Sequence, residues 1–309
     1  HKLNLDVKPL VPKALCFVDS FLVVCENENK LKTNFISVYS GNTLLKKFGQ
    51  LGRGPVDMIA PMYLSDGKCE KRYFTVASAS SIMKFDVEYL VSNDSLICIT
   101  ENLPEEVSLC NGMLYDSDTL SIMNCTGDNQ ITFFDKRTNE SKGYSSFDNE
   151  FLSNGSVTNF IYNIQVFPAV SGCNNGNILI AYTMQKSLDV VSFDGNLKKR
   201  IRFNNYDSNK SKIRLDAGNG SLVNVFYDED ATYYFSSSCV TNDAFYALCQ
   251  EEYKSSTSRT ILYKFDWNGN LLMKYRFNTV FMRAVINNGT IYSIAKSDEG
   301  EYEVVYAEL

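Results

Sequence analysis

Thr260-Ile261-Leu262-Tyr263-Lys264-Phe265-Asp266-Trp267-Asn268-Gly269-Asn270 is an apolar run that closes on an aromatic residue and breaks into a polar turn containing Gly and Asn. A short apolar run bounded by turn residues reads as a buried strand entering a hairpin. Five more runs share the form: Phe35–Tyr39, Ser81–Phe85, Gln130–Phe134, Leu188–Phe193 and Glu303–Tyr306. The closing aromatics, Tyr39, Phe85, Phe134, Phe193, Phe265 and Tyr306, follow one another at intervals of 46, 49, 59, 72 and 41 residues. A repeat of about 40–50 residues built from short strands is the sequence form of a propeller blade.

The fullest copy runs from Tyr233 to Phe277. It reads as strands Tyr233–Val240, Ala244–Glu251, Thr260–Phe265 and Leu271–Phe277, separated by polar turns. The expectation is an all-β, single-domain, six-bladed β-propeller over residues 1–309, with four-stranded antiparallel blades near 13–49, 62–99, 107–147, 161–203, 232–277 and 281–309. The last copy stops after its third strand, and a blade without its outer strand leaves an open edge. Leu3–Val7 alternates apolar and polar residues, so residues 3–7 are expected to close that blade against Tyr302–Ala307. The interval from Phe193 to Phe265 is longer than a blade requires. Its excess, near 204–230, is polar at both ends and reads as a long loop over one face rather than a further blade. Long ordered loops often carry function.

With 309 residues, 44% of them hydrophobic and 13% aromatic, the chain can bury a large core. A net charge of −6 argues against a nucleic-acid partner, which needs a basic face. Lys198, Lys199, Arg200 and Arg202 do cluster, but beside a turn on a strand, where charges guard a solvated sheet edge. No apolar run approaches the roughly 18 residues of a membrane-spanning helix. The chain opens on His1-Lys2-Leu3, so an export signal is expected upstream. Five of the nine cysteines, Cys16, Cys69, Cys110, Cys173 and Cys239, recur just before the turn that opens the next strand. They read as buried thiols, with disulfides across the Cys16/Cys25 and Cys239/Cys249 hairpins as the alternative. Zinc lacks its ligands: there is no Cys-x-x-Cys pair, and His1 is the one histidine.

Phe48-Gly49-Gln50-Leu51-Gly52-Arg53-Gly54-Pro55 follows the first copy, and its glycines and proline specify a sharply turned link. Together with the repeats, this stretch resembles the TolB-like six-bladed propellers common among exported or lipid-anchored proteins of Bacteroides-type bacteria. Those carry a phrase like Gly-x-x-Gly-Arg-Gly-Pro-Gly-Glu-Phe after the first blade, whereas Val56, Asp57 and Met58 stand here in the last three places. The resemblance implies the fold and an envelope location, in the periplasm or at the cell surface, with a lipid anchor upstream as in an outer-membrane lipoprotein. It implies no established activity. A P-loop is excluded, since no Lys-Ser/Thr and no helix start follows the glycines. Arg53 and Asp57 read either as braces of a link between blades or as ligand contacts, with Arg53 clamping a carboxylate or sulfate near the central channel.

Histidine-dependent lyase chemistry and a Ser-His-Asp nucleophile both lack their parts, with His1 terminal and alone. A calcium-dependent hydrolase or lactonase with a carboxylate/Asn site in the channel survives as an alternative, and only there is a cofactor, Ca2+, implied. A carboxylate-pair glycosidase stays open as well, because 36 acidic residues offer many pairings. The preferred reading is a monomeric, non-catalytic recognition propeller whose funnel binds a carbohydrate, a peptide or an envelope protein, ahead of a purely structural scaffold. Its candidate ligand residues are Arg53, Asp57, Tyr206, Tyr227 and Arg283, the last on the expected inner strand of the sixth blade. No catalytic or metal-ligating residue is nominated.

Overall fold

Runs of β-branched and aromatic residues cut by Gly, Asn and Asp turns pair with the runs beside them, and the chain folds into antiparallel meanders. The computed structural model describes residues 1–26, 33–52, 54, 56–59, 61–66, 72–78, 81–102, 110–115, 119–124, 131–144, 168–171, 177–182, 186–192, 194–203, 213–217, 223–227, 234–251, 259–297 and 299–309. The first meander is β1 (Pro12–Val18), β2 (Phe21–Glu26), β3 (Thr33–Ser40) and β4 (Thr43–Gln50), paired in that order. The second is β5 (Met62–Asp66), β6 (Tyr73–Ser78), β7 (Ser81–Asp86) and β8 (Ile99–Asn102), and the third is β9 (Cys110–Tyr115), β10 (Thr119–Asn124), β11 (Ile131–Asp135) and β12 (Glu140–Tyr144). Then come β13 (Pro168–Ser171), β14 (Asn177–Tyr182), β15 (Ser187–Ser192) and β16 (Leu197–Arg202), followed by a two-stranded sheet of β17 (Ile213–Ala217) and β18 (Val223–Tyr227). The chain ends with β19 (Phe235–Val240), β20 (Ala244–Glu251), β21 (Arg259–Asp266) and β22 (Leu271–Phe277), then β23 (Arg283–Asn287), β24 (Thr290–Lys296) and β25 (Tyr302–Glu308).

The six aromatic-ended runs fall on β3, β7, β11, β15, β21 and β25, the third strand of each meander, with Phe193 itself outside the described residues. Tyr39, Phe85 and Phe265 are buried there. Phe85 registers with Phe74 and Phe265 with Phe245, and each pair stacks with centroids 5.2 Å apart. Such a cross-strand pair contributes about 0.5–1.5 kcal/mol beyond the burial of its rings. At the Asp194-Gly195-Asn196 hairpin, Gly195 takes φ +76°, and Asp194 accepts from the Asn196 side chain at 2.7 Å. A two-residue turn needs that left-handed backbone to match the strand twist.

Apolar clusters fill the spaces between successive meanders. One joins the first and second (Val23, Phe35, Phe48, Phe74, Phe85), one the third and fourth (Phe133, Tyr144, Ile180), and one the fourth and fifth (Leu188, Phe235, Phe245). A further cluster joins the fifth to the last (Leu248, Leu262, Phe281, Ile291), and another joins the last back to the first (Leu15, Leu22, Ile294, Val304). The first strands of neighbouring meanders contact one another in the same order, β5 with β9, β9 with β13, β13 with β19, β19 with β23 and β23 with β1. The molecule is therefore all-β and propeller-like, with first strands innermost.

Several expectations need correction. The second and third meanders share one eight-stranded sheet, because Ser65 and Asp66 of β5 pair in parallel with Leu114 and Tyr115 of β9. A six-residue helix, α1 (Val87–Ser92), interrupts the second meander, and its N-cap Asp86 accepts from Tyr89 N–H. The 204–230 interval holds the β17–β18 hairpin in place of a plain loop. Closure of the last sheet falls nearer the start of the chain than residues 3–7. Lys2 bridges Val305, Leu3 N–H donates to Val304 O at 2.8 Å, and Tyr306 N–H donates to His1 O at 2.8 Å. Leu3 and Leu5 pack into the last-to-first cluster, and Asp6 and Val7 turn to the first meander. There Asp6 accepts from Leu44 N–H at 2.9 Å, and the Tyr39 hydroxyl donates to Val7 O at 2.8 Å.

Cys16, Cys25, Cys98, Cys239 and Cys249 are thiols, and all but Cys98 are buried. Cys16 registers with Val23 while Cys25 registers with Ala14, and Cys239 with Tyr246 while Cys249 registers with Phe235, so neither hairpin sets its cysteines opposite each other. Cys69 and Cys173 lie outside the described residues, as does the Cys110 side chain. The basic strand β16 is an outer edge where Lys198, Lys199 and Arg202 are exposed, but Arg200 departs from the solvated-edge expectation. Its guanidinium forks onto the fully buried Asp189 of β15, Nε to Oδ1 at 2.8 Å and Nη2 to Oδ2 at 2.9 Å. The hydroxyls of Tyr144 and Tyr182 donate to the same carboxylate at 2.9 and 2.8 Å. This polar network pins β12 of the third meander to the fourth. A buried carboxylate is tolerated only when it is paired and hydrogen-bonded in this way.

Candidate functional site

A four-stranded antiparallel meander ends on the side where it began, so each link from an outermost strand to the next innermost one lies at that side. The β4–β5 link carries Arg53 and Asp57, the β16–β19 link carries Tyr206 and the β17–β18 hairpin with Tyr227, and the β22–β23 link leads into Arg283. Arg53 and Tyr206 lie outside the described residues. Tyr227 ends β18, registered opposite Ile213.

Asp57 holds the glycine-rich turn together. Its Oδ2 accepts from Gly54 N–H at 2.8 Å and its Oδ1 from Gln50 Nε2 at 2.9 Å, while Met58 N–H returns to Gln50 O at 2.8 Å. A Cβ on Gly52 would stand 2.1 Å from Asp57 Oδ2, so the missing side chain is what admits the carboxylate. Both carboxylate oxygens are therefore engaged in bracing the link.

Arg283 is the first residue of β23, innermost in the last sheet. Its Nη1 donates to Ser236 O at 2.5 Å and to Met282 O at 3.3 Å, crossing to the neighbouring inner strand β19. Ala284 N–H makes a parallel crossing to Ser237 Oγ at 3.4 Å. The guanidinium touches solvent but has protein packed around it, and that crowding holds its pKa below the ordinary arginine value. A side chain both wet and surrounded is what a channel mouth produces.

Two residues before Arg283, Phe281 lines a groove of about 550 Å³ at the junction of the fifth meander, the last sheet and the N-terminal residues. Its lining includes Arg276 and Phe277 from the end of β22, Asn278 and Thr279 from the β22–β23 link, Lys296 from the end of β24, and Tyr306 from β25. Phe277 packs on the buried Phe281 at 4.7 Å, which fixes the floor. Arg276 and Lys296 are exposed, and neither has an ion-pair partner among the described residues. The groove's carboxylate, Glu303, is already paired with Lys2. The surface is thus net cationic on a molecule of net charge −6, with a half-buried aromatic at each side. It suits a polar chain that carries negative charge.

Reading the sequence nominated Arg283 but not the groove, whose walls come from residues 1–2, 276–281 and 295–307. The local signal was Lys274 and Arg276 alternating on an outer strand, a pattern that solvated edges also show. Among the described residues no three His, Cys, Asp or Glu side chains group as metal ligands, and no helix is long and apolar enough to cross a membrane.

No family model and no curated protein matches the chain. Among solved structures it is similar to BamB from Moraxella catarrhalis, at 11% identity and a TM-score of 0.40 over 96% of this chain and 70% of that one. It is similar to a streptogramin B lyase at 10% identity and a TM-score of 0.49, over 100% and 97% of the two chains. It is also similar to a member of the DUF4221 family from Bacteroides vulgatus, at 10% identity and a TM-score of 0.57 over 99% of this chain and 96% of that one. At such identities the likeness bears on fold alone, and the DUF4221 match carries it: the chain has a β-propeller-type fold.

Proposed function

We propose that the protein is a non-catalytic recognition module of the bacterial envelope, a single six-bladed, TolB-like propeller that works as a monomer without a cofactor. Its ligand is a carbohydrate or peptide chain bearing an anionic group, or an envelope protein presenting such a chain. One observation carries this reading: Arg276 and Lys296 stand without ion-pair partners among the described residues in a half-aromatic groove of a net acidic molecule. Aromatic faces supply apolar contact for a sugar ring or side chain, and the cations select for charge. Export, by an upstream signal or lipid anchor, goes with that role. The calcium-dependent hydrolase reading gains no support from the described residues, among which no three His, Cys, Asp or Glu side chains group as metal ligands.

The test is fluorescence titration of uronate oligosaccharides and acidic peptides, with their neutral analogues, against the wild type and an Arg276→Glu, Lys296→Glu double variant. The expected result is acidic-ligand binding that weakens with salt and falls at least tenfold in the variant. Equal affinity in the two proteins, or a preference for the neutral analogues, overturns the proposal.

A further inference from the structure

We infer that Arg283, Lys13 and Ser236 form a site for a single small anion, a carboxylate or tetrahedral oxyanion, where three adjoining inner strands begin. Lys13 occupies the bulge of β1, the innermost strand of the first meander, between the Pro12–Glu26 and Ala14–Cys25 pairings. Two residues on, Leu15 packs in the same cluster as Val285, which lies two residues beyond Arg283 on the adjoining inner strand. Stepping back equally along both strands brings Lys13 and Arg283 to the same level. Ser236 occupies the matching bulge of β19, between the Phe235–Cys249 and Ser237–Leu248 pairings. Three neighbouring inner strands therefore open with a cation, a hydroxyl and a cation.

The hydrogen-bonding capacity is uneven. Arg283 uses Nη1 on two backbone carbonyls, and among the described residues Nε and Nη2 have no acceptor. The Ser236 hydroxyl is buried with no partner. Lys13 is exposed and makes no ion pair among the described residues. The carboxylate across the ladder, Glu26, is fully buried and turned to other donors. Leu10 N–H and Val11 N–H reach it at 2.9 and 3.4 Å, and Lys47 at 3.5 Å. A guanidinium edge, an ammonium and an orphan hydroxyl at the starts of adjoining strands, with Glu26 engaged elsewhere, match the acceptors of a carboxylate or sulfate.

Phe281 lines the groove and lies two residues before Arg283, so the anion site adjoins the groove along the chain and would take the acidic end of a ligand held there. The inference deepens the recognition reading and rests on it only for the remainder of the ligand.

Sodium sulfate and sodium acetate, titrated separately into the full chain by calorimetry at constant ionic strength, test it. Saturable one-to-one binding of at least one anion is expected. Affinity should fall at least tenfold in Arg283→Gln and several-fold in Lys13→Gln and Ser236→Ala, and should be unchanged in Lys198→Gln on the exposed edge strand. Tighter sulfate binding assigns an oxyanion site, and tighter acetate binding assigns the carboxylate end of a chain. No saturable binding by the wild type, or undiminished binding by Arg283→Gln, overturns the site. Should Arg283→Gln not fold for want of its bridge to β19, an unchanged affinity in Lys13→Gln is equally fatal. Anion binding with no carbohydrate or peptide binding would sink the groove reading and leave this one standing.

Discussion

Replacing Asp189 with alanine should be among the most damaging single changes in the molecule. The carboxylate is fully buried and accepts four hydrogen bonds at 2.8–2.9 Å, two from Arg200 and one each from Tyr144 and Tyr182. Alanine leaves both tyrosine hydroxyls without their acceptor, at about 1–3 kcal/mol each. Stranding a wholly buried partner charge costs about 3–5 kcal/mol. The Arg200 side chain retains 24% exposure, however, and can swing toward water, so its share is well below that range. The sum is about 4 kcal/mol. At about 2 °C per kcal/mol for a chain of this size, the melting temperature should fall by about 8 °C. Urea denaturation followed by fluorescence measures the free energy, and Tyr144→Phe alone should lose about 1.5 kcal/mol. Because the network spans two meanders, Asp189→Ala should also speed amide exchange in β12. Replacing Asp189 and Arg200 together with leucine should recover only the smaller Arg200 share, since both tyrosine hydroxyls stay without their acceptor. A loss under about 1 kcal/mol for Asp189→Ala, or strict additivity in the double variant, would refute the argument.

Gly52→Ala places a methyl against Asp57 Oδ2 and should destabilise by about 1–3 kcal/mol, a loss that Asp57→Ala partly relieves; equal losses with or without Asp57 would contradict the packing. The Asp135 carboxyl is held down to about 2, chiefly by the Arg137 side chain. Because its folded value is depressed, that contribution is present above the ordinary carboxylate range and is lost as pH falls toward 2. NMR titration of Arg137→Ala should show the Asp135 midpoint rising, and an unmoved midpoint would rule the pair out. Burial pushes the Cys239 thiol up to about 12 and raises Cys25 as well. Iodoacetamide at pH 8 should therefore label half-exposed Cys98 well before either, and mass-spectrometric mapping that finds Cys239 or Cys25 modified early in native protein would oppose this.

The elements legible in the sequence were those whose cause is local. Ala244–Glu251 and Leu271–Phe277 carry turn residues at both ends and emerge as β20 and β22 with those bounds. The β5–β9 join rests on two backbone pairings between residues about 50 apart and leaves no mark on composition. The Ile213–Ala217 alternation was masked by its Asn- and Ser-rich flanks. Asp189 could have been found: it is a lone acid in the run Leu188–Val191, and it registers with Arg200 once the Asp194-Gly195-Asn196 turn sets the hairpin. The place of Arg283 at the start of an inner strand was legible from its apolar neighbours. The groove was not, since Arg276, Lys296 and Tyr306 meet only when the last sheet folds beside the fifth meander.

The bridge between Lys2 and Val305 also sets the order of biogenesis. The His1 nitrogen donates to Tyr306 O across 305 positions of chain, so the seam cannot form before β25 has been made. Until then β25 is absent and the leading residues have nothing to hold. Joining ends so distant costs about 5 kcal/mol in chain entropy, supplied at a single late step by a few backbone bonds and the burial of Leu3 and Leu5. A nascent chain stalled on the ribosome before β25 emerges would stay a gaping arc, recognisable to chaperones by that one unsealed flank.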